Sequence, residues 1–318
     1  MKVKRLGRQR PGHGLLIDAP HPLHRQGNGG LSIGGTGSID YVIGTLRPDV
    51  VNANQLVGAA KSWIKQVAPT PLLNRYGIVK GEPFAALSFS ADADIRRDIE
   101  ERLGYDGPLL DLYSGELKQS VHKWHHYLPL YERYFNRFRQ TPVKFLEIGV
   151  SKGGSLQMWR QYFGDAALIY GIDINPACKA YDGIAGQVRI GSQDDRNFLD
   201  AVVAEMGGVD VILDDGSHHM KHIKASLEAL FPRLNNGGLY LIEDLHTAYW
   251  HGWGGGYASP SNFFNTIRSM VDDMHHWYHD MPIQHPALSP HCPAIHIHDS
   301  MVVLEKEITH KPTHSLCK

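Results

Sequence analysis

The sequence predicts an α/β fold: seven strands in a mostly parallel sheet, helices on both faces, and an antiparallel hairpin at the C-terminal end. Two observations predict it. From Pro142 onward, short apolar runs alternate with helical patterns, as in strands joined by crossover helices. The last two runs, 294–298 and 301–305, are separated only by Asp299-Ser300, and so tight a connection demands antiparallel pairing.

Residues 1–40 are rich in Gly, Pro, Arg and His and predict a flexible arm. Within it Gly34-Gly-Thr-Gly-Ser38 resembles a phosphate loop only in its glycines. It lacks the Gly-Lys-Ser/Thr ending, and no clear strand precedes it. Residues 41–118 hold mixed patterns, with helices expected over 51–67 and 92–103. They form an auxiliary or cap region whose task the sequence does not state. Residues 119–318 then make one domain. Its opening stretch, 119–139, carries Trp124, Tyr127, Leu128, Tyr131, Tyr134, Phe135 and Phe138 at helical spacing. It predicts an amphipathic helix packed on the sheet by an aromatic stripe.

The strands follow as 144–150, 168–174, 187–191, 209–214 and 239–242, their apolar runs bounded by Gly and polar residues as in buried parallel sheets. Helices are expected over 155–163, 194–206 and 219–234. Ile223, Leu227, Leu230, Phe231 and Leu234 share one face of the last, and Asn235-Asn-Gly-Gly238 supplies its C-cap.

Open parallel sheets bind ligands beyond the carboxyl ends of their strands. The first such junction is Glu147-Ile-Gly-Val-Ser-Lys-Gly-Gly154. Its Glu-x-Gly-x-x-x-Gly spacing is not the Gly-x-Gly-x-x-Gly of dinucleotide folds, so no pyrophosphate has to be cradled. Gly149 and Gly153 allow a tight turn and close approach to a ligand, and Ser155 opens the following helix. Glu147 suits a ligand with a positive sulfonium and an amino group. Asp173, at the end of the second strand, is placed to accept ribose hydroxyls. Gln193 follows the third strand, where an adenine would lie, and Asp214 ends the fourth. With the terminal hairpin, this pattern is the methyltransferase variation on the Rossmann theme, and the cofactor it predicts is S-adenosylmethionine.

Asp214-Asp-Gly-Ser-His218 and Glu243-Asp244 end adjacent strands. Two acidic pairs at one mouth repel each other without a cation. Hard oxygen donors suit Mg²⁺ or Mn²⁺, and a nearby histidine is a candidate base. His219 and His222 compete with His218 for that role. Cys292, His296 and His298 lack an evident fourth ligand for zinc and are expected to pack the strand. The segment 251–257, rich in Gly and aromatics, is expected to be a mobile lid or acceptor loop.

The bulk numbers exclude little but consistently. The formal net charge is −1, so nothing global draws the chain to nucleic acid or an anionic membrane. No apolar run is long enough to span a bilayer. The basic start lacks the apolar core of a secretory signal. Three widely spaced cysteines make no disulfide framework and fit a reducing cytosol.

From about Tyr127 to Lys306 the chain resembles the macrocin and mycinamicin sugar O-methyltransferases. The resemblance rests on Phe145-Leu-Glu-Ile-Gly-Val-Ser-Lys-Gly-Gly154, Tyr170-Gly-Ile-Asp173, Asp214-Asp-Gly-Ser-His218, the stretch from Gly238 to Trp250, and Asp299-Ser-Met-Val-Val-Leu-Glu-Lys306. It implies a Rossmann-like class I methyltransferase. It also implies S-adenosylmethionine and Mg²⁺ dependence, metal ligation by Asp215, Glu243 and Asp244, and His218 as catalytic base. The acceptor would be a small hydroxylated, sugar-bearing molecule, and a homo-oligomer is compatible. Ser192 stands where the family often has Asp, which leaves the adenine contacts open. Methylation of a catechol-like phenol and a non-catalytic cofactor-binding module are the alternatives. A nicotinamide oxidoreductase fits poorly, since its loop needs other glycine spacing and hydride transfer needs no metal acids.

Overall fold

The computed structural model describes residues 94–115 and 117–317. The predicted arm, the helix over 51–67 and the Gly34–Ser38 loop lie outside the described residues. The sheet has the expected seven strands: β1 Lys144–Ile148, β2 Leu168–Asp173, β3 Gln187–Ile190, β4 Val209–Asp214, β5 Leu234–Ile242, β6 Ala294–His298 and β7 Met301–Glu305. Their order is β3-β2-β1-β4-β5-β7-β6. The first five pair in parallel, and β7 pairs antiparallel with both β5 and β6. The order reverses between β1 and β4, so the crevice above those two strands is the topological switch point.

Seven α-helices accompany the sheet among the described residues: α1 Ile95–Leu103, α2 Pro108–Ser114, α3 Tyr127–Phe135, α4 Gly154–Phe163, α5 Arg196–Met206, α6 Met220–Leu230 and α7 Phe263–Met274. They bury the sheet on two sides. One core packs Leu199, Ile223, Leu227 and Ile267 against Ile212 and Tyr240. The other packs Tyr131, Phe135, Trp159 and Phe163 against Phe145, Val211 and Leu241. Ile99, Leu109 and Leu110 join this second core with no exposed surface. Packing therefore continues across residue 119, where the sequence placed a boundary. Full burial of a side chain of this size contributes about 1.5–3 kcal/mol.

Two element boundaries differ from expectation, each because of a proline. The helix expected over 119–139 begins only at Tyr127 and ends in a 3₁₀ turn, Asn136–Phe138. Starting there puts Pro129 in the first turn, where its missing N–H costs nothing. A start at 119 would place it in the interior, where it breaks a backbone bond. Residues 117–126 instead run as an irregular arm across the switch point. Likewise α6 ends at Leu230 and passes into a 3₁₀ turn containing Pro232. Asn235-Asn-Gly-Gly238, expected as a cap, is the extended start of β5.

Candidate active site at the carboxyl ends of the strands

Lateral hydrogen bonds hold the strand ends in register. The Asp215 N–H donates to the Ile148 carbonyl at 2.9 Å, and the Glu243 N–H to Asp214 at 3.0 Å. The loops after β1, β4 and β5 therefore leave the sheet side by side. Gly149 has φ +99°, and an added Cβ would lie 2.0 Å from the Asp215 carbonyl oxygen. Only glycine lets the two loops approach so closely. Beside it Ser151, His218 and Asp244 are also left-handed, at φ 50°, 54° and 55°. Non-glycine residues held there cost of order 1–3 kcal/mol each, and such strain concentrates at functional sites.

Two cavities of roughly 340 and 380 Å³ open here and share Gly149, Ser151, Asp215 and Gly216. The second is lined by Asp173, Gln193 and His222, on the β2–β3 side. The first is lined by Ser155, His218, Asp244 and the arm residues Lys123 and Trp124.

Of the residues predicted to bind cofactor, Gly149, Ser155, Asp173 and Gln193 line these cavities. Asp173 also builds the loop, because one oxygen accepts the N–H groups of Val150 and Ser151 at 3.0 and 2.9 Å. Three residues of the predicted cofactor set, Glu147, Gly153 and Asp214, do not line these cavities. Glu147 has no exposed surface; it accepts the Ser155 hydroxyl at 2.8 Å and the Trp159 indole N–H at 3.1 Å. Burial pushes its carboxyl up to about 7, against the pull of Lys123. Gly153 is the left-handed cap of α4, packed against the Tyr181 ring. Asp214 points away from the mouth and accepts Ser226 Oγ at 2.6 Å, Tyr240 Oη at 3.1 Å and Gln193 Nε2 at 3.2 Å. These three support the cavity walls from behind.

Asp215, His218 and Asp244 each offer a ligand atom within 4.8 Å of the others, the one such group among the described residues. His218 Nε2 is 3.8 Å from Asp215 Oδ1 and 3.6 Å from Asp244 Oδ2. The two carboxylates facing this cavity are hard oxygen donors that fit a divalent ion such as Mg²⁺ or Mn²⁺, with the imidazole beside them. Glu243, the third expected metal acid, is not in this group. Its carboxylate accepts Tyr131 Oη and lies 2.9 Å from Lys123 Nζ. The competing histidines diverge. His219 caps α6 by accepting the Lys221 N–H, and His222 pairs with Ser217 Oγ at 2.9 Å. Cys292, His296 and His298 do not converge either, since His296 pairs with Glu305 and His298 with Tyr134. The loop expected as a lid packs Gly254 against His219 and is tied back by a Gly256 N–H to Ala248 carbonyl bond of 2.8 Å.

Several site residues escaped the sequence reading. Tyr127 and Tyr131 were legible only as an aromatic stripe, yet their hydroxyls serve Asp244, at 3.0 Å, and Glu243. Lys123 carried no pattern at all. Its ammonium lies 2.5 Å from Asp215 Oδ2, 2.9 Å from Glu243 and 4.0 Å from Glu147. Burial opposes that charge, but the three carboxylates outweigh it and hold Lys123 above the ordinary lysine value. His246 packs on Trp124 and Trp250 beside Asp244. Of these, only the hydrogen-bonding tip of a tyrosine in an otherwise apolar stripe was a usable signal.

Comparison with known proteins fits this geometry. Residues 146–245 match the family model described as a methyltransferase domain. A tetracenomycin-C 3'-O-methyltransferase of Streptomyces olivaceus, acting on a 2-methoxy-rhamnosyl derivative by its name, is 38% identical over 195 residues. Demethylmacrocin O-methyltransferase of Streptomyces fradiae is 36% identical over 204 residues. Each alignment covers 58% of this chain and 50% of the relative. Over residues 146–245 the chain is similar to a methyltransferase domain, and over somewhat more than half its length it is similar to these O-methyltransferases. It spans about half the length of the curated relatives it matches. The MycE methyltransferase of the mycinamycin pathway, solved with Mg, SAH and mycinamycin VI, superposes with a TM-score of 0.55. That match has 26% identity and covers 82% of this chain and 63% of that one. The class I methyltransferase fold expected from the hairpin is the fold this domain has. Among the described residues no helix is long and apolar enough to cross a membrane.

Proposed function

We propose that the protein transfers a methyl group from S-adenosylmethionine to a hydroxyl of a sugar carried by a natural product, with Mg²⁺ or Mn²⁺ at the site. The observation that carries this is the convergence of Asp215, His218 and Asp244 on a cavity adjoining the Gly149 loop. The named activities of the relatives support the acceptor class. S-adenosylmethionine would supply an electrophilic methyl on a sulfonium, which leaves as a neutral thioether. A divalent ion held by Asp215 and Asp244, with Glu243 lining the same cavity as the third expected ligand, would supply Lewis acidity that lowers a hydroxyl's pKa and orients it.

The chain's own residues do the rest. Asp173 and Gln193 line the cavity assigned to the cofactor, and Ser155 lines the adjoining one. His218 faces the acceptor volume and takes the hydroxyl proton, because an unactivated alcohol is a poor nucleophile at neutral pH. Tyr127 fixes Asp244 by bonding both its carboxylate and its N–H. Trp124 walls the acceptor side and is backed by the His246 ring, and such apolar surface helps exclude water and align the reactants.

The acceptor class is tested with methyl-labelled S-adenosylmethionine and three sets of acceptors: glycosylated polyketides, their aglycones and simple catechols. Label is expected only in the glycosylated set, on the sugar. Label in catechols or aglycones would favour the phenol reading. Cofactor binding depends in part on Asp173. Asp173→Ala should weaken S-adenosylmethionine binding by about 1–3 kcal/mol in calorimetry, the scale of lost charge-assisted hydrogen bonds. An unchanged affinity would remove Asp173 from the site.

A further inference from the structure

Two residues lining the cofactor cavity have no part in the chemistry above, Ser192 and His222. Ser192 stands where the family the chain resembles often has Asp. Asp194 brings a carboxylate to the same place: one oxygen accepts the Ser192 hydroxyl, and the other lies 3.7 Å from His222 Nε2. The second ring nitrogen, His222 Nδ1, is 2.9 Å from Ser217 Oγ. Ser217 is held in turn, since its N–H donates to Gln193 Oε1 at 2.7 Å. The His219 ring lies against His222, with 5.1 Å between centroids. His222 sits in the first turn of α6, a rigid element. With both nitrogens engaged along the rim and His219 beside it, the imidazole has a ring face left to offer the cavity. Ile174, directly after Asp173, lines the same cavity and is 72% exposed. An aliphatic side chain and an aromatic ring lining one cavity suit a flat ligand ring, and nucleobases stack on histidine as on other aromatic side chains.

We propose that His222 selects the adenine base of S-adenosylmethionine by stacking on the purine opposite Ile174, with Asp194 and Ser217 as the positioning residues that hold its ring. This rests on the cofactor reading above, and on neither the metal nor the acceptor. The carboxylate missing at 192 is used at one remove: it orients a ring, and the ring meets the base. A histidine that only tied the loop after β4 to α6 would affect every cofactor analogue alike. A stacking histidine affects only those that carry a base.

The test compares S-adenosylhomocysteine with S-ribosylhomocysteine, which carries a hydroxyl where the first carries adenine. Each competes with labelled S-adenosylmethionine for the full chain, and the ratio of the two affinities is read. His222→Ala should lower that ratio by about tenfold, the scale of one lost stacking partner. Its affinity for S-ribosylhomocysteine should stay within about threefold of the wild type. His222→Phe, which keeps an aromatic face without the nitrogens, should hold the ratio within about threefold of the wild type. An unchanged ratio in His222→Ala overturns the proposal, and so does an equal loss of both ligands. A second measurement does not depend on how the alanine variant folds. In wild-type protein labelled with ¹⁵N-histidine, one imidazole signal should shift with S-adenosylhomocysteine and not with S-ribosylhomocysteine, and that signal should be missing from His222→Phe. The absence of such a signal overturns the proposal. If the wild type binds neither ligand, the cofactor reading itself fails and the proposal falls with it.

Discussion

His218→Ala is expected to lower kcat by roughly 10²–10⁴-fold, the range for a lost general base, while S-adenosylmethionine affinity stays nearly unchanged. His218 borders the acceptor cavity, and its Nε2 lies 3.6 Å from Asp244 and 3.8 Å from Asp215. The same register turns His219 into the cap of α6. The left-handed backbone at φ 54° complicates alanine, which tolerates that region poorly. His218→Asn is the better-behaved companion, because asparagine adopts it readily. Mn²⁺ affinity separates the two roles open to this imidazole: a base leaves it almost intact on removal, a ligand does not. If His219→Ala were crippling and His218→Ala mild, the mechanism built on this register would be wrong.

Asp244→Asn is expected to reduce kcat/KM by roughly 10²-fold or more, since Lewis-acid activation of the hydroxyl contributes several kcal/mol. Asp215→Asn should do the same but also unsettle the fold locally, because Lys123 loses a partner at 2.5 Å. Asp244 is the cleaner probe. Its carboxylate accepts the Tyr127 hydroxyl, to which an asparagine can still hydrogen-bond. Activity and Mn²⁺ affinity should fall together. An Asp244→Asn protein that keeps both would remove the ion from this site.

The sheet was legible because its order follows from local pattern. Runs such as Val209–Asp214 are apolar and buried over Val211–Leu213, and the two-residue link at Asp299-Ser300 leaves only antiparallel pairing. The acidic clusters were legible because strand ends collect at one edge. What each acid does was less so. Asp214 and Asp215 are neighbours in sequence, and successive strand residues face opposite ways. One is spent inside on Ser226 and Tyr240, and the other reaches the mouth. Glu147 looked like a ligand contact because it sits on the loop motif, but Ser155 and Trp159 claim it from α4. Lys123 was invisible for a different reason. Its partners lie 92 and 120 residues away, and the arm that carries it has no periodicity. The aromatic stripe concealed that arm by appearing to continue the helix through Trp124, although Pro129 marks the true start.

Metal-assisted transfer to a sugar hydroxyl is tested most directly by one measurement. Dialysed protein is given methyl-labelled S-adenosylmethionine and a glycosylated polyketide acceptor, first in EDTA and then with excess Mg²⁺, and label on the sugar is followed in time. No transfer in chelator and recovery of transfer on Mg²⁺ addition is the predicted result. Full transfer in EDTA would contradict the account.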